Sequence, residues 1–218
     1  MQANHADTME ATQPNFADLI AVQRMRKAVL LAGIALCVVF LFFGTSRWPG
    51  GTLVHEAIEW TGIALIVIAI VGRTWSSLYI GGRKVSTLVD TGPYSITRNP
   101  LYAFSILGAA GAGAQLGSVV MALAGGLMAW IVFLIVVRRE EQVLIGALGA
   151  PYTDYTSRVP RFLPNIVLWR DSDSLVIRPS IIIVTFFDAL LFFLAIPLAE
   201  GVEYLHELDL LLNLIQLP

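Results

Sequence analysis

Ala28 to Phe43 reads AVLLAGIALCVVFLFF, sixteen residues without a charge or a proline. In hydrocarbon a backbone must satisfy its own hydrogen bonds, so such a run is a membrane helix. Four more apolar stretches follow, at Glu56 to Gly72, Pro100 to Gln115, Val119 to Val137 and Leu175 to Ala199. Most approach the roughly 17–25 residues a transmembrane helix needs. Composition agrees, with 56% of 218 residues hydrophobic and 14% charged. Soluble domains carry roughly a quarter charged residues. The expected fold is all-α, a multi-pass transmembrane helical bundle of about five spans. Residues 1–27 are expected to form a polar tail without a leader pattern, residues 28–174 the membrane core, and residues 175–218 the fifth span with an acidic, leucine-rich tail.

The second stretch has the composition to continue helically towards Tyr79. Only Leu116-Gly117-Ser118 separates the third and fourth, which predicts a tight antiparallel hairpin. Within it Gly108, Ala109, Ala112 and Gly113 are small residues at four-residue spacing, which lets helices approach closely. The fourth helix is expected to run past the membrane to Leu148 and end at Gly149. The hairpin returns Arg98, before one helix, and Arg138 to Glu141, at the end of the next, to one face. Asp188 lies inside the fifth stretch, where a hydrogen-bonded structural role is expected. The tail from Val202 to Leu217 either lies flat at the interface or packs on the bundle.

Lys and Arg set the orientation. They cluster at Arg24 to Lys27, in the loop from Arg73 to Arg98, and from Arg138 to Arg178, with Arg47 alone on the other side. The positive-inside rule then places the N-terminus and both polar stretches in the cytoplasm. Cys37 is the one cysteine and cannot form an internal disulfide. His5, His55 and His206 are scattered, so no metal is expected. No Walker loop, dinucleotide fingerprint, Ser–His pair or zinc pattern is present, and no nucleic acid is expected as a partner.

The most informative polar interruption is Ser86 to Phe104, STLVDTGPYSITRNPLYAF. Gly92-Pro93 marks a turn. Asn99-Pro100 starts a helix, with Asn able to cap it and Pro losing no hydrogen bond at the first position. This rigid segment delivers Arg98, Tyr94 and Tyr102 to the mouth of a membrane helix. Its counterpart after the fourth span carries Arg138, Arg139, Glu140 and Glu141, then Tyr152, Tyr155 and Arg158. Glu140 and Glu141 project about 100° apart on a helix, so one can face the bundle while the other faces solvent. Two carboxylates at a membrane surface suit a cationic ligand; intrahelical pairing with Arg138 and Arg139 is the plainer alternative.

Thr87-Leu88-Val89-x-x-Gly92-x-Tyr94-x-x-x-Arg98-Asn99-Pro100-x-Tyr102 resembles the signature of the isoprenylcysteine carboxyl methyltransferase family. Glu140-Glu141-x-x-Leu144 and Leu148-Gly149-x-x-Tyr152-x-x-Tyr155-x-x-x-Val159-Pro160 resemble its companion, so the likeness runs from about Ser86 to Pro164. The resemblance implies a small multi-pass enzyme that uses S-adenosyl-L-methionine without a soluble Rossmann domain. It implies a cofactor site of Ser86, Thr87, Leu88, Val89, Tyr94, Asn99, Pro100, Leu101, Tyr102 and Glu140, with Glu141 beside it. Arg98, Arg138 and Arg139 are the candidate catalytic residues. A sulfonium is a cation, which carboxylates and tyrosine faces attract. The eukaryotic members have His at Asn99, and a substrate-binding Arg where this chain has Val136.

The implied reaction is methyl transfer to a lipophilic acceptor that enters from membrane lipid. The acceptor expected first is an isoprenylcysteine-like carboxylate, with phospholipid amines or thiols as alternatives. A sterol-reductase-like enzyme using NADPH is a rival, against which the acidic pair argues. A non-enzymatic membrane scaffold is another.

Overall fold

The protein is described from a computed structural model, at residues 44–81, 87–208, 210 and 215–217. The apolar run from Ala28 to Phe43 and Ser86 lie outside the described residues. Helix α1 spans Leu53–Ile80, and the Thr52 hydroxyl caps it by accepting from His55 N. A one-turn helix α2, Pro93–Ile96, precedes α3, Pro100–Ala114. Helix α4 covers Val119–Leu148 and is capped by Ser118, whose hydroxyl accepts from Met121 N at 3.3 Å. Gly149, with φ of 62°, ends α4 and opens α5, Ala150–Arg158. A 3-10 turn at Ile166–Leu168 lies in the polar segment that follows.

The fifth apolar stretch is two helices, α6 at Pro179–Leu190 and α7 at Ala195–Glu207, joined by a 3-10 turn at Leu191–Leu194. A short parallel pair joins β1, Gly44–Ser46, to β2, Ile215–Leu217. At the start of the C-terminal tail Val202 is buried, and residues 215–217 pair with the chain before α1, so its described parts pack on the protein.

Three helical stretches are long and apolar enough to cross a membrane, Leu53–Ile80, Val119–Leu148 and Pro179–His206. Helix α3, with 15 residues, is about 22 Å long and falls short of the roughly 30 Å hydrocarbon core. Its flanks are held by α1 and α4, between which it packs. The outward faces are apolar, with Trp60 and Val71 on α1, Leu123 and Leu127 on α4, and Phe187 and Leu198 beyond. So large an exposed apolar surface is what lipid covers.

Small residues bring the helices together. A Cβ built on Gly62 would lie 2.7 Å from the Gly111 carbonyl oxygen, and one on Gly108 would meet Phe192 at 2.8 Å and Ala69 at 3.0 Å. A Cβ on Gly113 would strike the Met121 backbone, and one on Gly125 the Ala109 carbonyl. The α3–α4 hairpin thus has the tight packing its composition predicts. It also returns Arg98 and Glu140 to one end of the bundle, called here the motif end.

Asp188 departs from expectation. It is exposed on α6, with no hydrogen bond or ion pair among the described residues. Helix α6 buries Ala189, which packs with Ile66 and Ile70 of α1. The adjacent position is turned about 100° away from that contact.

Candidate active site at the motif end

Two polar segments, residues 87–99 and 159–171, run side by side at the motif end. Arg98 N donates to Pro160 O at 2.8 Å, Asn165 N to Ile96 O at 2.9 Å, and Gly92 N to Arg170 O at 2.7 Å. The Thr97 hydroxyl reaches the carbonyls of Arg161 and Phe162. Gly92, with φ of 59°, packs against the Tyr79 ring, and a Cβ there would clash at 2.2 Å. Asn99 precedes α3 but its side chain does not cap it; the amide instead donates to Arg161 O at 3.2 Å. Pro100 occupies the first turn, where its missing N–H costs nothing.

The two adjacent glutamates have different surroundings. Glu141 is buried, and its carboxylate is clamped by two guanidinium groups. Arg98 Nη1 lies 2.9 Å from Oε1, and Arg161 Nη2 lies 2.7 Å from Oε2. The bond to Glu141 raises the pKa of the Arg161 guanidinium. Glu140 is half-buried and accepts from the Tyr102 hydroxyl at 2.9 and 3.1 Å. A phenol hydrogen bond orients a carboxylate. The Tyr102 ring stacks on Phe133 with centroids 4.7 Å apart, within a cluster that includes Val136 and Val137.

Tyr94 completes this group. It is 4% exposed, and its hydroxyl is buried without a hydrogen-bond partner. Its carbonyl accepts from the Tyr155 hydroxyl at 2.7 Å. Burial raises the Tyr94 pKa well above the ordinary value, and the charges of Tyr155, Tyr102 and Glu140 add to the effect. Burial likewise pushes Tyr152 up to about 12, with Glu141 contributing, and raises Tyr155. All three phenols are neutral donors at physiological pH. Arg98 Nε is also buried without a partner.

Among the residues the sequence singles out, Tyr94, Arg98, Asn99, Pro100, Tyr102, Glu140 and Glu141 lie where the two segments meet α3 and α4. Leu88 packs against the Tyr152–Tyr155–Val159 cluster. Val89 and Leu101 are half-buried and Thr87 is exposed. Arg138 and Arg139 are exposed on α4 and do not pair with either glutamate. Arg161, which pairs with Glu141, is the candidate-site residue that sequence reasoning missed. Its signal was its place directly after the Val159-Pro160 motif.

The residues present suit S-adenosyl-L-methionine. The buried, unpartnered Tyr94 hydroxyl offers a donor, and the Tyr102-bound Glu140 is an acidic group of the same end. They match a ligand that carries acceptors and a cation.

Comparison with known proteins gives one family match and two relatives. The phospholipid methyltransferase family model matches residues 57–150, which include α3 and both glutamates. The chain is 32% identical over 188 residues to the cobalt-zinc-cadmium resistance protein CzcN of Cupriavidus metallidurans, covering 86% of each chain. It is 32% identical over 155 residues to the nickel-cobalt-cadmium resistance protein NccN of Alcaligenes xylosoxydans xylosoxydans, covering 71% of this chain and 72% of that one. No solved structure matches. From the family match, the helical architecture and the paired motifs, the chain belongs to the phospholipid methyltransferase and isoprenylcysteine carboxyl methyltransferase-like family of membrane methyltransferases.

Proposed function

We propose that this protein transfers a methyl group from S-adenosyl-L-methionine to a lipophilic acceptor drawn from the bilayer, at a site facing the cytoplasm. The observation that carries the reading is the buried, unpartnered Tyr94 hydroxyl beside the Tyr102–Glu140 pair. A buried donor left unmade costs about 1–3 kcal/mol, so a ligand acceptor at this position recovers that energy.

The cofactor supplies an activated methyl on a sulfonium. Glu140, oriented by Tyr102, supplies negative charge to hold a cationic ligand. Tyr94 donates a hydrogen bond from its neutral hydroxyl. Arg98 and Arg161 act through Glu141, locking the 87–99 and 159–171 segments to α4. Thr87, Leu88, Val89 and Leu101 form the wall of the same site, with Ser86 preceding them in sequence. Arg138 and Arg139, exposed at the motif end, attract anionic headgroups. An in-line methyl displacement demands mostly positioning, and a carboxylate acceptor needs no base.

The first acceptor class is an isoprenylcysteine-like carboxylate. A phospholipid amine is the second reading, and a specific contact favours it. Val136, where eukaryotic members place a substrate-binding Arg, is fully buried among Tyr102, Phe133 and Val137. The names of the two relatives add a physiological setting, tolerance of divalent transition metals.

Calorimetry of the purified protein against S-adenosylhomocysteine and NADPH tests the cofactor. Binding of the first alone is expected; binding of NADPH alone overturns the reading. Transfer of labelled methyl to prenylcysteine or to ethanolamine phospholipid in mixed micelles then separates the acceptors.

A further inference from the structure

A second polar cluster lies at the opposite end of the bundle, where α1 begins and α7 ends. His55 is 3% exposed. Its Nε2 lies 3.1 Å from Glu59 Oε1 and 3.3 Å from Glu203 Oε1. Its Nδ1 lies 3.1 Å from the Trp48 carbonyl. A carbonyl only accepts, so Nδ1 carries the proton. Nε2 is left facing two carboxylate oxygens. Either a proton or a metal cation on Nε2 reconciles three such atoms, and the spacing fits the metal.

From this we propose that His55, Glu59 and Glu203 form a binding site for a divalent transition metal ion of the zinc or cobalt type. The three ligand atoms lie within 4.8 Å of one another. Bonds of about 2.0–2.2 Å to a tetrahedral ion set neighbouring ligand atoms about 3.4 Å apart, close to the two distances from Nε2. One imidazole and two carboxylates is a donor set such ions accept, with positions left for water. The Nδ1–H bond to a backbone carbonyl is the outer contact that fixes a ligating histidine.

The surroundings hold the ring in place and admit an ion. Gly117, with φ of 61°, lies against His55, and a Cβ there would strike the ring at 2.1 Å. The Ser46 hydroxyl donates to Gly117 O at 2.8 Å, tying the chain before Trp48 to the hairpin turn. Beside the cluster a cavity of about 400 Å³ is lined by Glu56, Glu59, Gln115 and Glu200. Its carboxylates draw cations towards the site. Sequence reading expected no metal because the histidines are scattered; the other donors come from two helices far apart in the chain. The proposal is independent of the methyltransferase reading, since the two sites occupy opposite ends of the bundle.

The test uses the full-length protein in detergent, stripped with a chelator and titrated with Co²⁺ and Zn²⁺. One Co²⁺ per chain is expected, with visible absorption of a low-coordinate ion that Zn²⁺ abolishes. His55→Gln and Glu203→Gln should each weaken Co²⁺ binding more than about tenfold, since loss of a mere outer partner already costs 10–100-fold. Glu203→Gln is nearly isosteric on a partly exposed side chain, so it is informative even if His55→Gln misfolds. Both variants should bind S-adenosylhomocysteine like the parent. The proposal is overturned if the parent takes up neither ion at micromolar concentration, or if Glu203→Gln binds Co²⁺ unchanged. It is also overturned if nitrogen NMR at neutral pH, with Zn²⁺ present, finds both His55 nitrogens protonated.

Discussion

Arg98 Nη1 sits 2.9 Å from Glu141 Oε1, and both side chains are about nine-tenths buried. Arg161 closes the carboxylate from the other side. Removing one partner of a buried pair leaves an uncompensated charge, at a cost of about 3–5 kcal/mol. Glu141→Gln should therefore lower the melting temperature in detergent markedly. Arg161 is more exposed, so Arg161→Ala should cost less. A melting temperature unchanged in Glu141→Gln would show the clamp to be energetically silent.

Glu140→Gln should behave in the opposite way. The Tyr102 hydroxyl can still donate to the amide oxygen, so folding stability should change little. Binding of S-adenosylhomocysteine should weaken by about 1.5–3 kcal/mol, roughly a 10- to 150-fold rise in Kd. If Glu141→Gln alone loses the ligand while its fold survives, the roles of the two glutamates are exchanged.

Tyr94→Phe removes a buried hydroxyl that has no partner. The free protein should be as stable or slightly more stable, because no hydrogen bond is lost. The same change should weaken S-adenosylhomocysteine binding. Paired thermal shifts with and without ligand read both effects, and a destabilised free protein contradicts the assignment.

The phenols at the motif end predict behaviour in alkali. Burial raises Tyr152 to about 12, above its unfolded value of about 10. The sign follows from linkage: the unfolded state loses this proton first, so the stabilising contribution is complete below about pH 10 and falls as pH rises towards 12. Tyr94 and Tyr155 shift in the same direction. Tyrosinate absorbance should therefore appear together with unfolding, not before it.

Topology is open to labelling in a Cys37→Ser background. Ser172→Cys reports the motif end and Gly50→Cys the other end. The β1–β2 pairing places Gln216→Cys with Gly50→Cys. Opposite labelling of Ser172→Cys and Gly50→Cys is expected, with Ser172→Cys reached from the cytoplasm; common labelling contradicts a spanning α1.

What the sequence made legible was local. Pro100 and Gly149 mark helix ends through their own ring or φ angle, and each stands at a helix boundary. The hairpin followed from a three-residue turn between apolar runs, and with it the meeting of Arg98 and Glu141 at one end. The partners of each charge were not legible. Glu141 finds Arg161 twenty residues on, across a turn made by Gly149 and α5. His55 at the start of α1 meets Glu203 of the last helix, far along the chain. Asn99 looked like a cap, yet its side chain turns to donate through Nδ2 to a carbonyl of the neighbouring segment. Periodicity says which face is apolar; it does not say which distant loop arrives there.

Helix α4 has 30 residues, about 45 Å of rise, against about 30 Å of hydrocarbon. Glu140 stands about 32 Å along it, close to that thickness. On the proposed function, a site at that height is reached by its acceptor through lateral diffusion within a two-dimensional solvent. Its saturation should therefore track the mole fraction of acceptor in the membrane, and diluting that acceptor with inert lipid should slow turnover even when its molarity in the tube is constant.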